Sequence, residues 1–402
     1  MKSRYKIAHV TILDVQILLI LDHLKSLRDD GFEVHVVCND GPLVPMFRAN
    51  SFQVHTIKIP RRMSPVLDLF VLKDLFTLMR RERFTIVHTH TPKIELIGQV
   101  AARLAGVPVV LYTNHGLFFR GEMSFIKKRS LVGLAKLAGY FSDHVLSQSS
   151  GDIDTALHER MYKSNQITYL GNGVDLERFD PDNFTSESVR KKKRELGIPA
   201  GSRVIGSVGR YVNEKGYREF FKAAKQISLK YRDVLFLTIG MEVPGERDPF
   251  DSDLIEQLGL THRVLKLSSR HDMAELYSVM DLLVSGTYRE GFPRSLIEGA
   301  AMALPIIATD IPGSREAVID QFNGYLVPVK DSQSLADKME VLLNDASLRK
   351  QIGMNGRALA RKSFDQADVI ARLKNCYEQK LLEKVIDGGH RFKHARGEEA
   401  QI

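Results

Sequence analysis

DLLVSGTYREGFPRSLIEGAAMALP, residues 281–305, decides how the chain is read. The apolar run DLLVS has the composition of a buried strand end, and from Leu296 onward apolar residues recur at helical spacing. Glu290-Gly291-Phe292-Pro293 is therefore a strand-to-helix loop. Open α/β sheets hold ligands at the carboxyl ends of their strands, and the free N–H groups of a helix's first turn attract anions. Glu290 in the loop and Glu298 inside the helix can then accept hydrogen bonds from sugar hydroxyls while the amides face a diphosphate. Spacing alone does not establish this, since 22 Glu in 402 residues give about one pair eight apart by chance. A second such pair, Glu187 and Glu195, lies in the charge-rich SESVRKKKRELG, which reads as a solvated helix face without function.

Outward from this loop the alternation continues in both directions. Downstream of a basic helix, a series opening with RVIGSVGRYVNEKG has strand signals at 234–239, 264–267, 281–285, 305–308 and 325–327. Upstream, strands at 4–12, 33–38, 53–59, 84–90, 107–113 and 143–148 alternate with helices at 15–29, 66–83 and 94–105. Such alternation implies parallel sheets covered on both faces. A chain of 402 residues with 44% hydrophobic content is too long for one ordinary core. The turn chemistry of Asn172-Gly173, with Pro181 beyond it, places the boundary. The expected fold is α/β, two Rossmann-like doubly wound domains facing a central cleft: residues 1–172, residues 173–365, and a last segment, 366–402, of a helix to about 386 and a fraying tail. The first strand lacks G-x-G-x-x-G, so the dinucleotide fingerprint is absent.

Two cysteines, Cys38 and Cys376, are too few and too isolated for a disulfide framework or a metal site, which favours a reducing cytoplasm. The apolar stretch from Ile12 to Leu24 is cut by Asp14, Gln16 and Asp22, so neither a signal peptide nor a membrane span fits. The net charge of +8 is uneven: residues 1–171 hold 22 Lys and Arg against 15 Asp and Glu, the rest 35 against 34. A basic half implies an anionic partner. No helix-turn-helix, zinc-finger or RNP-like pattern argues for nucleic acid, leaving a phosphate-bearing substrate or an anionic membrane surface on the inner face of the membrane. Residues 117–140 combine Phe118, Phe119 and Phe125 with Lys127, Lys128 and Arg129, the mix that lies at anionic lipid; the competing reading is a helix packed on its own sheet.

His115 ends the strand PVVLYTNH, a place where ligand contact and a structural hydrogen bond compete evenly. His88 and His90 share one face of their strand, but no third ligand is near in sequence, so a metal pair is disfavoured. Arg210 and Lys215 flank the first turn of the second half, where two cations match a diphosphate; the bland alternative is a solvated turn. Asp152/Asp154, Asp180/Asp182 and Asp251/Asp253 read as capping or loop residues rather than metal sites.

The ordered set NGVD (172–175), VGRYVNEKG (208–216), EGFPRSLIE (290–298) and PGSREAV (312–318) resembles the GT-B glycosyltransferases of family 4, a retaining group acting on nucleotide-sugars. The first half is similar to the acceptor domains of that family's bacterial polysaccharide and lipid-linked glycan enzymes. The resemblance implies a hexosyl- or N-acetylhexosaminyl-transferase using a UDP-sugar, a glycan or polyprenyl-linked acceptor and no metal. By it, Glu290 contacts the donor sugar, Glu298 the ribose, Arg210 and Lys215 the diphosphate, and His115 the sugar from the first domain. Amides of Gly291, Phe292, Arg294 and Ser295 complete the donor site, Pro293 having no N–H. The last helix would cross back onto the first domain. Many members carry a Gly-Gly loop after the first strand, where this chain has TILDVQILL, so the acceptor or its phosphate would sit differently. Two other readings stay open: a nucleotide-sugar epimerase or phosphorylase on the same fold, and a non-catalytic nucleotide-sugar-binding protein.

Overall fold

VVLYTN (Val109–Asn114) and IIAT (Ile306–Thr309) are buried at every position, the pattern of parallel strands covered by helices on both faces. The computed structural model describes residues 5–117, 123–242, 246 and 248–395, with side chains up to Lys384. Contacts divide the chain into two units, one running to Gly171 and resuming at Ile370, the other Asn172–Val369.

The strands of the first unit are β1 (Lys6–Val10), β2 (Glu33–Cys38), β3 (Gln53–Thr56), β4 (Ile86–Thr89), β5 (Val109–Asn114), β6 (His144–Ser147) and β7 (Ile167–Tyr169). They form one sheet in the order β3-β2-β1-β4-β5-β6-β7, every pair parallel. The second unit has β8 (Arg203–Val208), β9 (Val234–Ile239), β10 (Val264–Leu267), β11 (Leu282–Ser285), β12 (Ile306–Thr309) and β13 (Gly324–Val327), in the order β10-β9-β8-β11-β12-β13 and again all parallel. Both are doubly wound Rossmann-like sheets whose order reverses beside the first strand: between β1 and β4 in one, between β8 and β11 in the other. At such a switch the flanking loops diverge to opposite faces and leave a crevice at the strand carboxyl ends. Apolar residues of β1, β2, β4 and β5 pack with Leu75, Leu78 and Ile94 of neighbouring helices in the first unit. Buried clusters in the second unit form around Phe292 and Leu296 and around Phe220 and Phe221.

The helix expected at 15–29 is a 3-10 helix, Asp14–Ile20, followed by an α-helix, Leu21–Asp29. Side chains explain the tighter start. Gln16 Oε1 accepts from the Ile12 and Leu13 amides at 3.1 and 2.9 Å, and Asp14 accepts from Val15 N at 2.7 Å and Leu43 N at 2.8 Å. Such local bonds compete with the i to i−4 ladder. The final helix runs Gln366–Ala395, beyond the expected end near 386, so its Gly-Gly pair at 388–389 does not stop it; the tail from 396 lies outside the described residues. Its inner turns belong to the first unit. Tyr377 Oη bonds His88 Nδ1 at 2.6 Å, Arg372 donates to Leu170 O at 2.8 Å, and Lys384 pairs with Asp143 at 2.8 Å.

Candidate functional site

The switch of the second sheet gathers the motif residues. The loop after β8 carries Arg210 and Lys215, and the loop after β11 carries Glu290 and Gly291. Their backbones touch at two glycines. Gly216 has φ +71° and ends the turn Asn213–Lys215; a Cβ on it would lie 1.9 Å from the Gly286 carbonyl oxygen. No other residue combines that φ with that closeness at low cost. Across the contact, Tyr288 N donates to Glu214 O at 2.8 Å, Arg289 pairs with Glu214 at 3.0 Å, and Lys215 Nζ forms an ion pair with Glu290 Oε2. The PGSREAV segment backs the loop: a Cβ on Gly313 would meet the Glu290 carbonyl oxygen at 2.4 Å.

The helix Arg294–Ala301 starts behind Pro293. Glu298 faces Tyr277, whose hydroxyl donates to Oε2 at 2.9 Å, and Arg294 Nε lies 3.8 Å from Oε1. Burial pushes the Glu298 carboxyl above its ordinary value, with Arg294 and the Tyr277 bond opposing. Phe292 is a core residue, its ring edge-on to Phe364 at 5.7 Å, and its carbonyl accepts from Asn172 of the NGVD motif at 3.1 Å. Of the four residues read as catalytic, this unit joins Lys215 to Glu290. Arg210 pairs instead with Glu246 at 2.8 Å and is half-exposed.

His115 belongs to a different constellation, inside the first unit. His9 on β1 is register partner of His88 on β4, His90 follows β4, and His115 follows β5. His9 Nδ1 bonds His90 Nε2 at 2.9 Å, His90 Nδ1 bonds His115 Nε2 at 3.1 Å, and His115 Nδ1 bonds Gln148 Oε1 at 3.1 Å. His88 is held by Tyr377 and Thr113, and Tyr377 Oη also reaches His9 Nε2 at 3.4 Å. A neutral imidazole has one donor and one acceptor, so fixing one tautomer in this chain fixes the others. Burial lowers all four: His9 to about 3, His115 to about 4, His88 and His90 well below the ordinary value, with neighbouring rings adding to the effect on His88 and His90. Nitrogens of His9, His88 and His90 lie within 4.8 Å of one another, a spacing a metal can use, although each is already taken by the hydrogen-bond chain.

Sequence reasoning missed His9, 81 positions from His90. The available signal was the matching place of His in IAHV and IVHTH, two strands adjacent at the sheet's centre. It also missed Glu95, which burial pushes up to about 8 and which accepts from Tyr162 Oη at 2.6 Å. Of the proposed lipid-facing segment, Phe118 and Phe119 lie outside the described residues. The helix Phe125–Phe141 buries Val132, Ala138 and Gly139 along one side and leaves Ile126, Leu137 and Tyr140 exposed on another, while Phe125, in the first turn, is 73% exposed. Lys128 is paired with Glu159 at 2.6 Å. No described helix is long and apolar enough to cross a membrane.

Residues 188–359 match the family model of the Glycosyl transferases group 1, and residues 19–178 that of Glycosyltransferase Family 4. The capsular polysaccharide biosynthesis glycosyltransferase CapM of Staphylococcus aureus is 30% identical, over 94% of this chain and 98% of that protein. The Escherichia coli UDP-Gal:alpha-D-GlcNAc-diphosphoundecaprenol alpha-1,3-galactosyltransferase is 27% identical, over 95% and 99%. Among solved structures, Anabaena Alr3699/HepE in complex with UDP and glucose superposes with a TM-score of 0.81 at 21% identity, covering 93% of this chain and 100% of that one. Fold and motif loops define a GT-B glycosyltransferase. The chain belongs to the group 1 glycosyltransferases, and the epimerase and phosphorylase readings are not favoured.

The buried groups set opposing pH limits. His9 and His115 stay neutral when folded, with values of about 3 and about 4, while the unfolded chain takes up protons below 6.5. Their contribution is present above pH 6.5 and is lost as pH falls toward 3. Glu95 keeps its proton to about 8 when folded and loses it above 4.5 when unfolded, so its contribution is present below 4.5 and is lost as pH rises to 8. Glu95→Gln keeps an acceptor for Tyr162 and is expected to raise the melting temperature at pH 8, by up to a few kcal/mol of stability, and much less at pH 5. Equal shifts at both pH values would remove burial of the ionisable carboxyl as the cause.

Proposed function

We propose that this chain moves a hexosyl or N-acetylhexosaminyl group from a UDP-sugar to a hydroxyl of a polysaccharide or polyprenyl-linked glycan, as a retaining enzyme of family 4 that needs no metal. The observation that carries the reading is the meeting of Lys215 and Glu290 at the strand-switch crevice of the second unit, a cation for a departing diphosphate beside a carboxylate for sugar hydroxyls. The names of the Staphylococcus aureus and Escherichia coli relatives support the polysaccharide or lipid-linked acceptor, and the latter supports a UDP-linked donor.

In this reading the bond from the anomeric carbon to the diphosphate oxygen breaks and the electron pair leaves with the diphosphate. The acceptor hydroxyl enters from the same face, and its proton passes to the leaving oxygen. Lys215, Arg210 after exchanging Glu246 for phosphate, and the amides of Gly291, Phe292, Arg294 and Ser295 stabilise the developing charge. Glu290 holds sugar hydroxyls, Glu298 the ribose, and His115 the sugar. Glu290, the strong carboxylate candidate of the loop, being so engaged, neither the nucleophile nor the general base has an obvious occupant, which favours retention.

The product linkage, read by anomeric coupling in the NMR spectrum, is expected to keep the donor configuration, and turnover is expected to survive EDTA. An inverted linkage, or EDTA-abolished activity restored by manganese, would overturn this chemistry.

Lys215→Ala and Arg210→Ala remove charge-assisted contacts that strengthen as the leaving group gains charge, so turnover should drop by about tenfold or more while donor affinity changes less. Glu298→Gln touches a group unchanged between ground and transition state, so it should raise the donor KM with little change in kcat. Unchanged kinetics in Arg210→Ala, or a pure kcat loss in Glu298→Gln, would contradict the assignments.

The same reading places the protein at the cytoplasmic face of an anionic membrane, touching it through the basic first half and the exposed side of Phe125–Phe141. Co-sedimentation with anionic vesicles should weaken in salt and in Lys127→Glu with Arg129→Glu. Binding indifferent to both would count against it.

A further inference from the structure

The first unit contains a pocket of about 440 Å³, within the size range of small-molecule sites. Its walls are Leu96 from the helix Pro92–Leu104, Leu131, Leu134 and Ala135 from the helix Phe125–Phe141, and Met161. Leu19 and Met63, 48% and 57% exposed, also line it, as do His90 and His115 at the strand ends. So apolar a pocket open to water is costly unless something fills it.

Charge narrows the occupant. Arg61 lines the pocket, is exposed, and has no ion pair or hydrogen bond among the described residues, whereas Lys93 is already held by Asp68 at 2.6 Å and by the Pro60 and Arg62 carbonyls. Among the described residues, the one lining carboxyl is Glu95, buried and bonded to Tyr162. A lining that is apolar and that, among the described residues, has an unpaired cation and no exposed carboxylate complements a hydrocarbon chain that carries an anionic head. The surface nearby fits the same partner. Val66, Leu67, Leu69 and Phe70, on the helix that begins two residues after Met63, are 49–67% exposed, and Ile126 and Leu137 on the opposite wall's helix are 79% and 50% exposed.

We propose that this pocket binds the hydrocarbon chain of a phosphate-headed lipid, with the phosphate at Arg61. The inference rests on the acceptor reading above and deepens it, because it assigns the lipid of a polyprenyl-linked acceptor to named residues. Ala135 is the wall position where added bulk fills the space directly, and Arg61 is the position that separates head from chain.

The full chain is titrated calorimetrically with farnesyl phosphate below its aggregation concentration, with farnesol and inorganic diphosphate as comparators and UDP as an independent probe. Farnesyl phosphate is expected to bind one to one, more tightly than diphosphate. Ala135→Phe and Leu134→Asp should each weaken it by about tenfold or more without altering UDP affinity, and Arg61→Glu should weaken farnesyl phosphate but not farnesol. If Ala135→Phe does not fold, Leu134→Asp, at a 39% exposed position, carries the test. No binding by the unaltered chain, wild-type affinity in the foldable pocket variants, or diphosphate binding as tightly as farnesyl phosphate would overturn the proposal. Failure of UDP to bind, with farnesyl phosphate retained, would instead strike the donor reading and leave the pocket standing.

Discussion

Gly216 and Gly286 bring two loop backbones into contact, and the chemistry of the second unit depends on that contact. There is no room for a Cβ at Gly216, whose position would fall 1.9 Å from a carbonyl oxygen. The contact is what puts Tyr288 N within reach of Glu214 O and sets Arg289 and Lys215 against carboxylates of the facing loop. Partly exposed ion pairs contribute at most about a kcal/mol each. The loops are therefore held by backbone fit, and the charged pairs are left cheap to open. That suits the proposed reaction, in which a cation exchanges a protein carboxylate for a phosphate.

Environment separates the two carboxylates of the EGFP loop and its helix. Glu298 sits one helical turn inside Arg294–Ala301, takes a hydrogen bond from Tyr277, and is raised by burial. Glu290 lies in the loop, 26% exposed, against a lysine. The first is fixed in place by its neighbours and suits a contact that does not change during reaction. The second is held by an ion pair with a lysine at a partly exposed position.

The periodicities that the chain displays are those of its covered sheets, which is why strand positions and the doubly wound class were legible from residues alone. Elements without a periodic stretch were not: the short helix Val44–Ala49, the strand β7 and the 3-10 turn at Asp14–Ile20, which side-chain bonds to loop amides create. The site followed the same rule. Residue type and place after a strand singled out Lys215 and Glu290 in the motif loops, and the structure pairs the two. The Glu246 partner of Arg210 did not show, because that pairing joins positions 36 apart through loops with no pattern. His9 and Glu95 were invisible for a different reason: each is an isolated polar residue in an apolar element, and only the neighbouring strand or helix reveals whether its bonding is complete.

The two sheets use one topology for opposite electrostatics. At its switch the second unit concentrates charge, Lys215 with Glu290 and Arg289 with Glu214, in partly exposed pairs. At the corresponding place the first unit buries four imidazoles whose nitrogens satisfy one another, Tyr377, Thr113 and Gln148, and it lowers every one of them to a neutral form near pH 7. A neutral chain of donors and acceptors reads hydroxyl and amide groups by direction and is indifferent to charge, whereas paired ions read charge and tolerate variation in direction. Next to that neutral chain lies an apolar pocket with its carboxyl protonated. In the first unit the strands thus deliver neutral imidazoles and an apolar pocket to the topological position at which, in the second, they deliver paired ions.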